Sequence, residues 1–217
     1  MALDVDALAG KINQAIGATD KDGNPISTTD YMRVFAKAVF DTYKAGLVAN
    51  APGTITGSAP PVSPLTGGAG SNGLMVLIPA IWIADMMTGF PKATGAFIPN
   101  EANASTTYSM ASGKVSFASG NITGNSTATP LSPGILSAGA GSNGKIGSLV
   151  GNTWGDQVKS AAFPNGDSTL IRKVYTAVAD YIQTNSSVTY ASGSVTGSFA
   201  IASGPLLAGT GIGGTIS

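Results

Sequence analysis

The chain has 217 residues, of which 43% are hydrophobic and 10% are charged, and its eleven basic and eleven acidic residues cancel. Soluble domains carry roughly 25% charged residues, so the composition favours a subunit covered by an assembly over an ordinary secreted domain of low charge. The balanced charge argues against a nucleic-acid partner, and the absence of Cys and His excludes disulfides, thiol nucleophiles, histidine-based triads and Cys/His zinc sites.

The N-terminal segment predicts a short amphipathic helix over residues 4–16, because apolar residues recur there at roughly helical spacing. Acidic residues stand where a signal peptide carries basic ones, so no export signal is expected. The longest apolar run, residues 74–84, is too short to cross a bilayer. We therefore expect a protein that is made in a cytoplasm and has no membrane partner.

A turn-rich link over residues 17–27 precedes a second helix, predicted for residues 30–48 with Thr28 or Thr29 as its N-cap. The link contains Asp20-Lys-Asp-Gly-Asn24, which is similar to the start of a calcium loop. Its glycine comes too early, and Tyr31 stands where such a loop has a bidentate glutamate. A plain turn is the favoured interpretation, and no metal site is predicted.

An internal repeat is the strongest signal in the chain. Three segments, which begin at Gly53, Gly120 and Gly193, share the pattern G-x-I/V-T-G, a variable spacer, a leucine and G-x-G-x-x-G. An offset of 140 residues relates the helical pattern before the first segment to the one before the third. We interpret one unit as a helix, a short strand, a glycine loop, a Trp-bearing segment and Phe-Pro.

The repeat predicts the organisation of the whole chain. An N-terminal helix and linker over 1–27 precede a first unit over 28–99, a second over 100–168, and a partial third with the C-terminal tail over 169–217. We expect one compact α+β domain, in which duplicated units of helix, short strand and glycine loop pack amphipathic helices with small β-hairpins.

The segments between the glycine motifs give less regular patterns. Residues 73–87 are strongly apolar, and Pro79 can occupy the first turn of a helix there. Residues 88–112 are predicted as a loop with a possible strand near 106–110, and residues 114–124 as a strand. The second Trp-bearing segment, 145–160, contains three glycines and is expected to be helical only in part.

The C-terminal part predicts one more helix and a hairpin. The helix, capped by Ser168 or Thr169, should end near residue 184. The hairpin, over residues 187–202, should turn near Gly197. The last ten residues would be disordered on their own, so we expect a neighbour to hold them.

The string G-x-G-x-x-G is also the fingerprint of dinucleotide-binding turns, which need a hydrophobic strand before it and a helix after it. The residues before the three copies are rich in Pro, Ser and Ala, and the third copy has no room for a following helix. We therefore expect no nucleotide cofactor. A structural loop that needs positive φ or close backbone contact is the favoured interpretation.

The carboxylates stand singly in the sequence, and nothing pairs two of them as a glycosidase would require. The two tryptophans, Trp82 and Trp154, are expected in the core, with interface contacts as the other possibility. The apolar segment 74–87 and the C-terminal tail are the best candidates for a contact surface. The candidate interface residues are Met75, Ile78, Ile81, Trp82, Met86, Pro205, Leu206, Leu207, Ile212 and Ile216.

The phrases Gly193-Ser-Val-Thr-Gly197 and Gly209-Thr-Gly-Ile-Gly-Gly-Thr-Ile-Ser217, with the low charge and the modular repeat, resemble virion structural proteins of tailed bacteriophages. The resemblance is one of style over the whole chain. It implies a tail, baseplate, neck or capsid-surface subunit that works through repeated copies and mutual packing. It brings no catalytic residues with it.

We therefore expect a non-enzymatic structural subunit that packs against copies of itself and against other virion proteins. The alternative is a carbohydrate-binding or adhesion module that stacks Trp and Tyr side chains on sugars, which exposed tryptophans would favour. A third possibility is a hydrolase with two carboxylates about 5–10 Å apart in a cleft.

Overall fold

A computed structural model describes residues 3–26, 29–59, 65–90, 97–126, 134–199 and 204–217. In these ranges the chain repeats the order helix, helix, strand, strand three times, which confirms the α+β class. The first group is α1 Val5–Ile16, α2 Asp30–Lys44, β1 Leu47–Ala59 and β2 Thr66–Val76. The second is α3 Pro79–Gly89, α4 Phe97–Ser112, β3 Lys114–Ser126 and β4 Gly134–Gly147. The third is α5 Gly151–Ala162, α6 Ser168–Asn185, β5 Val188–Phe199 and β6 Gly204–Ile216.

The helices and the strands form two separate compact units. The helical unit comprises residues 1–45, 77–112 and 148–186, and the strand unit comprises residues 46–76, 113–147 and 187–217. The chain enters each unit three times, once for each copy of the repeat. The segments 28–99, 100–168 and 169–217 therefore each combine helical residues of one unit with strand residues of the other.

The strand unit is a closed antiparallel barrel in which the strands follow one another in chain order and β6 pairs back with β1. Its interior is built from equivalent residues of the three copies. Val48, Val115 and Val188 are fully buried at one level, while Ile55, Ile122 and Val195 are buried at another. Closure leaves no free strand edge among the six described strands.

The G-x-G-x-x-G segments lie inside strands β2, β4 and β6, so the predicted glycine loops are strands. Close backbone contact, which the sequence analysis expected, is the reason for the glycines. A Cβ on Gly68 would lie 2.1 Å from the carbonyl oxygen of Ile122, and one on Gly139 would lie 2.1 Å from that of Val195. Real Cβ atoms do not approach so closely, and the next strand would have to move.

The first glycine of each G-x-I/V-T-G segment has a different role. Gly53, Gly120 and Gly193 have φ values of 83°, 86° and 86°, in the left-handed region that favours glycine. Each lies where the strand shifts register against its partner, between Ala49 and Ile55 in the first copy. The repeated glycine therefore marks a bulge in β1, β3 and β5.

In the helical unit each helix contacts the next one along the chain, and α6 contacts α1, so that the six described helices form a closed ring. Equivalent positions on the first helix of each pair supply the core. Leu8, Trp82 and Trp154 are buried at one position, and Ile12, Met86 and Val158 at the next. The two tryptophans are therefore core residues, as expected.

The predicted helix starts agree with the structure in part. Asp4 and Thr29 cap α1 and α2 by accepting a backbone N–H, and Pro79 lies in the first turn of α3. The cap of α6 is Asp167, where the sequence predicts Ser168 or Thr169. Its carboxylate accepts the N–H groups of Thr169 and Leu170.

Helix α4 replaces the predicted loop over 88–112 and the predicted strand near 106–110, within the part of that segment that the structure describes. Its buried face is mostly polar, and this hides the helical period from a hydrophobicity pattern. Thr106 and Ser109 satisfy their hydroxyls within the helix by donating to carbonyl oxygens four residues earlier, at 2.8 and 2.9 Å.

Helix α5 is complete although the sequence predicts only partial helix there. The glycines that weaken its propensity lie against α6. A Cβ on Gly151 would be 2.2 Å from the Cα of Thr176, and one on Gly155 would be 2.9 Å from the Cα of Arg172. The two helices pack so closely that only glycine fits at these positions.

The C-terminal residues form strand β6, which pairs with both β1 and β5. The neighbour that holds the tail is therefore the same chain, and β6 is the last element of the third group of two helices and two strands. Strand β5 runs through Gly197 without turning, so the predicted turn at that residue is wrong. The prediction failed because it divided between two strands a segment, residues 188–199, that forms the single strand β5; residues 200–202 of the predicted hairpin lie outside the described part.

Candidate functional site

The candidate interface residues separate into three groups in the structure. Ile78 and Ile212 are exposed, at 46% and 67%, and Ile81 is half-buried. Pro205 and Leu207 lie in β6, but their side chains are outside the described part. Met75, Trp82, Met86, Leu206 and Ile216 are buried within the chain and present no surface to a partner in this conformation.

A strip of exposed apolar side chains, which we name the β1–β2 strip, consists of Leu47, Leu74 and Val76. They are 51%, 47% and 58% exposed. Leu47 pairs in register with Val76, and Leu74 lies two residues further along β2 on the same face. Because side chains alternate along β2, Met75 points inward, and its neighbours Leu74 and Val76 point to the surface.

The other two strand pairs have no large apolar side chain at the equivalent positions. Lys114 pairs with Gly147 where the first copy has Leu47 and Val76, and Lys145 stands where it has Leu74. The third copy has hydroxyl residues there, with Thr215 in register with Thr189. The β1–β2 strip therefore departs from the pattern of the barrel, since the same backbone carries a water-compatible surface twice and an apolar one once.

A second feature that the sequence analysis missed is the buried carboxyl group of Glu101 on α4. Glu101 is the only glutamate in the sequence and is 3% exposed. The Tyr175 hydroxyl donates to its Oε1 at 2.7 Å, and Ser105 donates to the Tyr175 oxygen at 3.3 Å. Oε2 has no hydrogen-bond partner among the described protein atoms.

Burial controls the ionisation of this group. Loss of solvation raises the pKa of Glu101 to about 7, against a smaller lowering by the hydrogen bond from Tyr175. The same burial, with the nearby Glu101 charge, raises the pKa of Tyr31 and of Tyr175 above the usual range for tyrosine. Both hydroxyls therefore stay protonated while the carboxyl group titrates near neutrality.

Glu101 lines a cavity of about 280 Å³ in the helical unit. Helix α2 contributes Tyr31 and Phe35, and Phe163 lies just after α5. Helix α6 contributes an apolar wall of Leu170, Ile171 and Val174, with Asp167 at its N-terminus. Tyr31 and Leu170 are 39% and 44% exposed, so the cavity opens to solvent on their side.

Several of the remaining carboxylates lie in ion pairs or turns at the surface. Asp41 and Asp85 both bind the Lys37 ammonium, at 2.5 and 2.7 Å, and this shared cation holds the two carboxylates as a surface ion-pair network. Asp20 accepts the backbone N–H groups of Asp22 and Asn24 in a turn, as expected. Within the described ranges no group of three acidic side chains could hold a metal ion.

None of the described helices combines the length and the apolar character needed to cross a membrane. Comparison of the chain with models of protein families, with curated protein sequences and with solved structures found no match.

Proposed function

We propose that the protein is a non-enzymatic structural subunit that packs against copies of itself, in a particle of the tailed-phage kind that its sequence resembles. The β1–β2 strip is the observation that supports this proposal. Leu47, Leu74 and Val76 expose apolar surface to water on a barrel whose other two strand pairs have lysine, glycine or hydroxyl residues at the same positions. Hydrophobic burial against a partner is the physical reason for such an exception.

Burial of both tryptophans favours this function over the carbohydrate-binding alternative. Trp82 is 1% exposed and Trp154 is fully buried. Stacking on a sugar needs an accessible aromatic face, which neither indole offers in this conformation. The low fraction of charged residues agrees with a chain whose surface is partly covered in an assembly.

The experiment is sedimentation of the full chain over a range of concentrations, with the variant Leu47→Lys/Leu74→Lys as the comparison. The second strand pair already carries Lys114 and Lys145 at these positions, so the barrel backbone accepts lysine there. We expect the wild-type chain to associate as its concentration rises and the double variant to remain a monomer, because each buried lysine charge would oppose contact.

The control is Ile135→Lys, which changes another exposed apolar residue of the barrel, 60% accessible, outside the β1–β2 strip. This variant should associate as the wild type does. A wild-type monomer at every concentration would contradict self-assembly. Association of the double variant with wild-type affinity would show that the contact lies elsewhere.

A further inference from the structure

The cavity beside Glu101 combines an apolar wall with one incompletely paired polar group. The Tyr175 hydroxyl donates a hydrogen bond to Oε1 of Glu101 and accepts one from the Ser105 hydroxyl, so its hydrogen-bonding direction is determined. No described protein atom pairs with Oε2. An unpaired buried carboxyl oxygen loses hydration without compensation, and a donor in the cavity would remove that cost.

The charges around the cavity select the kind of donor. The described ionisable residues that line it are Glu101 from α4, Tyr31 from α2, and Tyr175 and Asp167 from α6 and its cap. Two of these are acids and two are phenols, and among the described lining residues there is no lysine or arginine. A cationic donor is therefore favoured over a neutral one, and an anion is disfavoured.

The size and lining select the rest of the ligand. A volume of about 280 Å³ is at the lower limit of small-molecule sites. The aromatic rings of Tyr31, Phe35 and Phe163 offer apolar contact and faces that attract a cation. The exposed edge formed by Tyr31 and Leu170 gives an entry path.

We propose that this cavity binds a small apolar molecule that carries one primary ammonium group, with the ammonium on Glu101 and the apolar body against α6. When Glu101 is neutral before binding, its proton passes to solvent as the carboxylate pairs with the cation, and no bond in the ligand changes. This site lies in the helical unit and is independent of the self-association proposed for the β1–β2 strip.

The test is calorimetric titration of the full chain with phenethylamine, compared with 2-phenylethanol, which has a similar body and no charge. We expect phenethylamine to bind at least about tenfold more tightly. Its affinity should fall between about pH 8 and pH 5.5, because protonation of Glu101 competes with the ion pair.

Two variants and a control locate the site. Glu101→Gln keeps the shape and removes the charge, and Val174→Phe fills the cavity; each should weaken phenethylamine binding at least about tenfold. Asp180→Asn removes an exposed acid from the same helix outside the cavity and should leave the affinity unchanged. Circular dichroism establishes that each variant is folded, and if one is not, the other decides.

Three results would overturn the proposal. The first is an absence of binding at about 10 mM phenethylamine, a concentration at which even a weak small ligand registers. The second is equal affinity for the alcohol. The third is unchanged phenethylamine affinity in a folded Glu101→Gln or Val174→Phe chain. That result would indicate that the carboxyl group of Glu101 binds a buried water and no ligand.

Discussion

Each unit of the protein contains a buried tyrosine whose hydroxyl donates to a polar side chain, and the two pairs differ in how completely they are satisfied. In the barrel, Tyr190 donates to Oδ1 of Asn50 at 2.8 Å. The Asn50 amide nitrogen donates to Thr54 and to the carbonyl of Ser71, at 3.2 and 2.7 Å. In the helical unit, Glu101 receives one such bond on Oε1, and Oε2 has no partner among the described atoms.

The difference separates a structural polar group from a candidate site. Asn50 occupies the position that Phe117 and Tyr190 hold in the other two copies. The rings of Phe117 and Tyr190 stack with their centroids 5.3 Å apart. In the first copy a hydrogen-bonded asparagine therefore occupies the position at which the other two copies have an aromatic ring. Glu101 lies beside a cavity and is ionisable. Its hydrogen bond from Tyr175 engages only one carboxyl oxygen, so the other oxygen can bind a ligand there.

The largest effect is expected where the barrel depends on backbone contact. Gly139→Ala places a Cβ 2.1 Å from the carbonyl oxygen of Val195, and the strands must separate to accommodate it. The free energy of unfolding in urea should fall by at least about 3 kcal/mol. The matched control is Gly147→Ala in the same strand, where the nearest atom is 4.0 Å from the new Cβ; its effect should stay within about 0.5 kcal/mol. Equal effects would contradict the close-contact explanation.

The same contacts explain how much of the barrel could be predicted from sequence. The three glycine segments can be recognised in the sequence because close backbone contact admits only glycine. The same residue therefore recurs at the same position in each copy. Their strand character was hidden because β2, β4 and β6 contain little apolar alternation. The partner strand of each glycine is remote in sequence, so no local pattern could show a closed barrel.

The helical unit was less predictable for the opposite reason. Ile12, Met86 and Val158 fill equivalent positions with different side chains, because side-chain packing tolerates exchange where backbone contact does not. The Glu101 site depends on a tyrosine 74 positions away, which no spacing rule connects to it. The sequence shows the apolar excess of residues 74–87. It does not show which of these residues are exposed, because their exposure follows from the alternation of side chains along β2.

The buried acid should make the stability of the helical unit depend on pH. Below the unfolded-state pKa of about 4.5, Glu101 is neutral in both states and its burial costs little. As pH rises from there to the folded pKa of about 7, the unfolded chain ionises first and stability is lost. Glu101→Gln should remove this loss, so its stability relative to wild type should increase by about 3 kcal/mol between pH 4 and pH 8.

Asp156→Asn is the control of opposite sign for that experiment. Hydrogen bonds and the charge of Arg172 lower the pKa of Asp156, so its contribution to stability is present at neutral pH and is lost in acid. The asparagine variant should therefore be less stable than wild type at pH 8 and approach it at low pH. Parallel pH profiles for the two variants would contradict the assigned burial of Glu101.

The smallest effect is expected for Tyr190→Phe, which removes the donor to Asn50 and leaves Oδ1 unpaired inside the barrel. The free energy of unfolding should fall by about 1–2 kcal/mol. The loss should be the same at pH 4 and pH 8, because Asn50 does not titrate and burial raises the pKa of Tyr190 to about 12.

Tyr175→Phe is the matched change in the helical unit, and its pH dependence tests the contrast between the two pairs. The hydrogen bond from Tyr175 lowers the pKa of Glu101, so its removal raises that pKa further and penalises the carboxylate more than the neutral acid. Tyr175→Phe should therefore cost more stability at pH 8 than at pH 4. If each tyrosine variant loses the same stability at pH 4 as at pH 8, the hydrogen bonds of Glu101 are as complete as those of Asn50. The cavity would then have no unpaired carboxyl oxygen with which to bind a cationic ligand.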